Sequence, residues 1–397
     1  MTRLHAGVDI GGSHIAVGLV DEAGNLVLTV DHQLLCNASV TADEIVGIIY
    51  TLISQATFTL CDVETNGGDD GCFGDGLFNS CIATVGIGCP GHCKKGVLVA
   101  ASNLPLLKNV PLAAKLSARL DNIPVVLVND ADAAVAAEVW SKDTFAFYRE
   151  AENVAMVTLG TGIGVGLVLN RRLYTGSNGL VEAGHMVIPA PMGASSRQCG
   201  CGQRNCVETF ASAKSVALRY AEATSSVAGA DADADADADS NALSVRVEED
   251  VDTKGVFHLA ADGDPVAERI IDDAAKSLAV LVVNLCRVVD LDVVIFGGGM
   301  AQAGETLLHR IRAHVKATSW NVLPTNVQMV LAKSSVNAGI LGAAMAGKRQ
   351  AELAGGREGG KVGDLMRRYG QGLLAFTTAV SVVSLATIAV LVLRRKK

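Results

Sequence analysis

The chain has 397 residues, a formal net charge of −8, 50% hydrophobic and 4% aromatic residues. That length accommodates two lobes around a cleft, and the acidic balance, with no basic stripe interleaved with aromatics, excludes the footprint of a nucleic-acid binder. Ten cysteines are scattered along it, with Cys199, Cys201 and Cys206 crowded together, which suits a reduced compartment and one metal site rather than a disulfide framework.

The first residues lead directly into an apolar run and carry no secretory signal. Residues 3–34 read as a β-meander: an apolar stretch to Val8, Gly11 and Gly12, a second stretch to Val20, a turn at 21–25 and a third strand. Helical spacing follows over 41–54 with Thr41 as N-cap, and 82–87 and 125–128 are short β-rich runs. An Ala-rich helix is expected over 131–139. Residues 154–169 repeat the opening theme of strand, glycines and strand, which suggests duplicated lobes facing one cleft. Residues 264–287 form an amphipathic helix with Asp264 as N-cap and Pro265 in its first position. A buried strand over 293–296 and a small-residue helix over 335–347 complete an α/β alternation.

Two stretches read as solvated insertions: the Gly/Asp-rich segment 65–75 and the Ala-Asp alternation 231–239, which repels itself and cannot pack. The domain reading is a small N-terminal lobe over 3–128 with an inserted loop at 55–80, then a large lobe over 129–350 with a low-complexity insertion at 224–250. A linker over 351–371 leads to the uncharged run 372–393, about 22 residues that reach across a bilayer core at about 1.5 Å each. Arg367 and Arg368 precede it and Arg394, Arg395, Lys396 and Lys397 follow. A buried core helix seldom lacks charge throughout and then ends in four cations, so the expectation is a transmembrane tail anchor with the globular part left in the cytosol.

Three glycine clusters carry the first chemical signal. Asp9-Ile10-Gly11-Gly12-Ser13, Thr161-Gly162-Ile163-Gly164 and Gly297-Gly298-Gly299 each stand at a strand end, where backbone amides approach phosphate oxygens closely. Each alone is also an ordinary turn; three together favour nucleotide binding, with the Asp9 carboxylate placed to hold Mg²⁺ through water. The most specific feature is His185 with Cys199, Cys201 and Cys206, a closed set for structural Zn²⁺ whose rival reading is a local disulfide or reduced core thiols. Asp130 follows an apolar strand and opens a helix, so it reads as an N-cap, a general base, or both.

Glu182-Ala183-Gly184-His185, the cysteine cluster and Val207-Glu208-Thr209-Phe210-Ala211-Ser212 together resemble the zinc signature of the ROK family of sugar kinases and repressors. Asp9 to Ser13, residues 86–91, Ser102-Asn103-Leu104-Pro105, Asn129-Asp130-Ala131, residues 158–166, Gly297 to Gly299 and Ala338-Gly339 extend the resemblance over roughly residues 5–348. It implies a two-lobe actin-like (RNase H-type) α/β fold with ATP and sugar in the interlobe cleft. It also implies Asp130 as catalytic base and Asn103, Asn129, Glu182, His185 and Glu208 as sugar ligands. Asp9, Gly11, Gly12, Ser13, Thr161, Gly162, Gly298 and Gly299 would serve the nucleotide. The expected activity is transfer of the γ-phosphoryl of ATP, taken with Mg²⁺, to a hexose primary hydroxyl. Residues 103–105 and 109–112 look most like the family's glucokinases, and N-acetylmannosamine or N-acetylglucosamine is the alternative substrate. The expected partners are sugar, ATP and a second copy in a homodimer, with no nucleic acid.

The chain departs from the family pattern at several points. Asp132 stands where Asn is common and places a second carboxylate near Asp130; Asn205 replaces a Gly between zinc ligands; His92-Cys93-Lys94 replaces Pro-Val-Asp. A ROK repressor would need a helix-turn-helix ahead of residue 5, where a strand begins instead. A non-catalytic sugar sensor would have no need of Asp9, Asp130 and the nucleotide glycines.

Overall fold

Apolar runs near the start form three antiparallel strands, β1 (Leu4–Ile10), β2 (His14–Val20) and β3 (Leu26–Gln33). The Asp21 carboxylate accepts the N–H groups of Ala23 and Asn25 and closes the second turn. The computed structural model that shows this describes residues 3–11, 14–33, 40–65, 81–101, 104–191, 194–228, 251–333 and 337–354.

Helix α1 (Ala42–Thr65) begins with a capping box, in which Glu44 Oε2 accepts the Thr41 N–H at 2.7 Å and Thr41 Oγ1 accepts the Glu44 N–H at 3.3 Å. It runs past position 54, where the sequence pattern ends it, so residues 55–65 are helical rather than part of an inserted loop. Ile45, Ile49, Leu52, Ile53 and Ala56 are buried at three- and four-residue spacing, and that apolar face carries the helix onward. Positions 66–80 of that insertion lie outside the described residues.

Next come β4 (Ile82–Cys89), the hairpin β5 (His92–Lys94) and β6 (Val97–Ala100), α2 (Leu112–Arg119) and β7 (Val125–Asn129). The first sheet has the order β3-β2-β1-β4-β7, with β4 and β7 parallel to β1. After α3 (Asp130–Trp140) and α4 (Lys142–Tyr148), a second sheet repeats that plan. Its strands β8 (Val154–Leu159), β9 (Ile163–Leu169) and β10 (Arg172–Leu173) form a meander, to which β11 (Val293–Gly297) and β12 (Gln328–Leu331) add in parallel. The order β10-β9-β8-β11-β12 matches the first sheet strand for strand, in keeping with the repeated glycine hairpin.

The segment between β10 and β11 supplies α5 (Glu208–Ala211), α6 (Ala213–Ala228), α7 (Thr253–Ala261) and α8 (Pro265–Val289); α9 (Glu305–Thr318) precedes β12. Asp264 caps α8 by accepting from the N–H groups of Val266 and Ala267, as its position before Pro265 predicts. Helix α6 runs through Ala228, so the expected insertion from 224 starts later; positions 229–250 lie outside the described residues. A further helix, α10, starts at 338.

One apolar core lies between the first sheet and α1 and α2, and another between the second sheet and α5 to α9. A third joins them through Val128, Ala133, Val135, Ala136, Met156, Ile295 and Ala344. Helix α3 therefore packs on β4 and β7 of one sheet and on β8 and β9 of the other. Close approach makes this possible: a Cβ on Gly166 would strike the Ala131 carbonyl, and one on Gly342 the Ala133 carbonyl. The residue that opens α3 is thereby placed where the sheets meet.

Met1–Gly347 form one compact unit and Lys348–Lys397 a second. In the second, residues 348–354 are helical. Among the described residues no helix is long and apolar enough to cross a membrane; the expected span at 372–393 lies outside them.

Candidate active site

Asp130 is the first residue of α3, immediately after β7. Asn129 serves as N-cap: its Oδ1 accepts the Ala131 N–H at 2.8 Å, while its Nδ2 donates to the Gly91 carbonyl at 3.0 Å. Asp130 Oδ1 also accepts from Ala131 at 2.8 Å. The cap reading is thus satisfied mainly by Asn129, and the Asp130 side chain stays exposed. Protein mass around it still strips enough solvation to raise its pKa above the usual carboxylate value, against the Ala131 N–H. Asp132 is 7% exposed and is pushed up to about 7, mostly by burial, with Asp130 and Glu182 adding like charge and the Asn129 N–H opposing. The second carboxylate expected near Asp130 is therefore present, and burial dominates its behaviour.

Asp9 is the penultimate residue of β1, and its pKa is also raised by burial, opposed by His14 and reinforced by Asp130. Gly11 closes a turn through its N–H to the His14 carbonyl at 2.9 Å. Gly12, Ser13 and Asn103 lie outside the described residues. Glu182 is exposed and precedes a 3₁₀ turn, Ala183–His185. Burial of its carboxyl environment raises its pKa, His185 and His92 lower it, and Asp130 and Glu208 raise it. These charges place Glu182, Asp130, His185 and Glu208 within one electrostatic neighbourhood.

The metal-type residues converge. One ligand atom from each of His185, Cys199, Cys201 and Cys206 lies within 4.8 Å of every other. Backbone pairing brings them there: Val187 bridges Cys206, Gln198 bridges Arg204, and the Cys199 carbonyl accepts the Gly202 N–H at 3.0 Å. Asn205 sits at φ 62°, a left-handed conformation that Asn tolerates, which explains how it replaces glycine there. Its Oδ1 accepts the Arg197 N–H. Cys201 and Cys206 Sγ are 3.6 Å apart and Cys199 Sγ is 3.5 Å from His185 Nδ1. A disulfide needs about 2.05 Å, so the thiols are free. Zn–S bonds of about 2.3 Å give a tetrahedral edge of about 3.8 Å, and the donor set fits that ion.

Glu208, two residues after Cys206, opens α5. Its Oε2 accepts the Ile163 N–H at 2.9 Å, and its Oε1 lies 3.7 Å from Cys199 Sγ. The cysteine loop is thereby coupled to the β8–β9 turn, which carries Gly160, Thr161 and Gly162.

That turn forms one wall of a 740 Å³ cavity. Gly160 and Thr161 line one side, Gly299, Met300 and Gln302 another, and Thr253, Phe257 and His258 of α7 a third. The second and third glycine clusters thus meet in one cavity. Gly162 and Gly298 neighbour its lining residues in the chain, while Asp9 feels the charge of Asp130. The α7 residues were missed from sequence. Asp252, which caps α7 by accepting the Gly255 N–H at 2.8 Å, was the available signal, obscured by the low-complexity stretch before it.

Residues 75–350 match the ROK family. The chain is 32% identical to a glucokinase of Thermotoga maritima over 85% of this chain and 95% of that protein. It is 30% identical to an N-acetyl-D-glucosamine kinase of Escherichia coli over 75% and 84%. In structure it resembles a ROK family glucokinase from Streptomyces griseus in complex with glucose and AMPPNP, with TM-score 0.60, 28% identity and coverage of 87% and 99%. The likeness extends the α/β two-lobe sugar kinase fold to this molecule. With a family match over well more than half of its length and relatives covered almost end to end, the chain belongs to the ROK family.

Proposed function

We propose that this protein is an ATP-dependent hexose kinase that converts glucose to glucose 6-phosphate. The observation that carries the reading is Asp130: an open carboxylate at the junction of the two sheets, beside Asn129, Glu182 and the His185–Glu208 loop. In the proposed domain reading the small lobe spans 3–128 and the large lobe 129–350, with the sugar held between them. Asn129, Glu182, His185 and Glu208 orient the hexose, together with Asn103. His185 turns Nδ1 to the cysteines and keeps Nε2 for a hydroxyl.

Asp130 accepts the proton of the primary hydroxyl as that oxygen attacks the γ-phosphorus, and the bond to the β-phosphate oxygen breaks to release ADP. The 740 Å³ cavity is the natural seat of the nucleoside end of ATP. Asp9, which feels the Asp130 charge, would serve its phosphates and their Mg²⁺ together with Gly11, Gly12 and Ser13. His185, Cys199, Cys201 and Cys206 would hold a zinc ion as a closed structural set, which would rigidify the loop from which Glu208 projects.

A second reading, kinase activity on an N-acetylhexosamine, is favoured by the 30% identical relative named N-acetyl-D-glucosamine kinase. A coupled assay across glucose, mannose, fructose, N-acetylglucosamine and N-acetylmannosamine separates the two. Binding of a hexose with no phosphorylation of any would convert the protein to a sensor. The run 372–393 with its flanking cations supports a C-terminal anchor with the catalytic unit in the cytosol, and the family resemblance supports a homodimer, which light scattering tests.

A further inference from the structure

Residues 91–93 touch both halves of the proposed hexose site. On one side the Gly91 carbonyl accepts Asn129 Nδ2 at 3.0 Å. On the other, His92 Nε2 meets the Asn178 carbonyl at 2.5 Å across 86 residues of chain. Next to that bond Gly179, at φ 65°, lies so close to the Cys93 carbonyl that no Cβ fits. Glu182 follows three residues later.

We propose that His92 is a positioning residue for the hexose. Its bond to Asn178 latches the loop that carries Glu182 onto the β5 hairpin, and the same hairpin holds Asn129. The distance between the Asn129–Asp130 corner and Glu182 is thereby set by one three-residue segment. A carbonyl oxygen only accepts, so Nε2 carries the hydrogen, which holds for the imidazolium and for the Nε2–H tautomer alike. The imidazole also opposes in part the burial that raises the Glu182 pKa.

The inference rests on the hexose reading, and its test separates the two. In the full-length protein, His92→Ala removes the donor and His92→Gln keeps a terminal N–H group at similar reach. Hydrogen exchange of peptides over 174–182 reads the latch without reference to catalysis. Exchange there should quicken in His92→Ala while peptides over 199–206 stay unchanged. Steady-state rates should show KM for the best hexose raised about tenfold, the scale of one lost hydrogen bond, with kcat and KM for ATP within about twofold. His92→Gln should recover most of both effects. Unchanged exchange over 174–182, an unchanged hexose KM, an equal shift in KM for ATP, or failure of Gln to rescue overturns the proposal. If the wild-type protein phosphorylates no hexose, exchange still decides the latch and calorimetric hexose affinity takes the place of KM.

Discussion

Glu208 accepts the backbone N–H of Ile163 at 2.9 Å, so one carboxylate ties the cysteine loop to the turn that lines the cavity proposed for the nucleotide. Glu208→Ala should therefore raise KM for hexose and for ATP, each by about tenfold. Glu208→Gln keeps a carbonyl for the Ile163 N–H and should leave KM for ATP within about twofold while hexose binding weakens. Initial rates against each substrate read this. A Glu208→Ala enzyme with wild-type KM for ATP would break the link.

Asp130→Asn keeps size and most hydrogen bonding but removes the proton acceptor, and kcat should fall by about 10²-fold or more. Hexose affinity by calorimetry should change much less, because Asn129, Glu182, His185 and Glu208 remain. If Asp130 is the base, its raised pKa should place the acidic limb of the wild-type rate profile above the ordinary carboxylate value. Near wild-type turnover in Asp130→Asn would reduce the residue to a helix terminus.

Asp132 links pH to stability. Its folded pKa of about 7 exceeds its ordinary value of 3.8, so between those values the folded chain holds a proton that the unfolded chain releases. Stability is fully present below the lower value and is lost as pH rises toward the upper one, by up to about 1.4 kcal/mol per pH unit. Asp132→Asn keeps an acceptor for the Asn129 N–H and removes the titration. Thermal melts from pH 5 to 7 should show a shallower decline for the variant than for the wild type; parallel curves would reject this.

Metal analysis of purified protein should find about one zinc per chain. Cys201→Ser or chelation should weaken hexose binding and ATP binding alike, because Cys206 leads directly to Glu208, which holds the Ile163 N–H. Absence of zinc in active protein would remove the ion from the account.

A chain truncated after Gly360 should be soluble and active, whereas the full chain should partition with membranes. Recovery of the full, unprocessed chain from the soluble fraction alone would remove the anchor.

The sequence by itself determined what depends on neighbours in the chain. Cys199, Cys201 and Cys206 share one loop, and their spacing announced a metal site because a tetrahedral ion needs donors a few residues apart. The glycine hairpins announced two similar sheets, since a turn and its flanking apolar runs are local. Asp264 and Pro265 announced the start of α8 for the same reason. Helix α1 escaped in part: Ala56 carries the buried face of Leu52 and Ile53 past position 54, but what it packs against lies elsewhere.

Only the tertiary structure decided the rest. The Glu208–Ile163 bond spans 45 residues and the His92–Asn178 bond 86. Phe257 joins Thr161 and Met300 around one cavity from three separate elements. Such pairings follow from strand order and from the close contacts of α3 at Gly166 and Gly342. They depend on which surfaces meet after collapse, and no local pattern of charge or hydropathy encodes that choice.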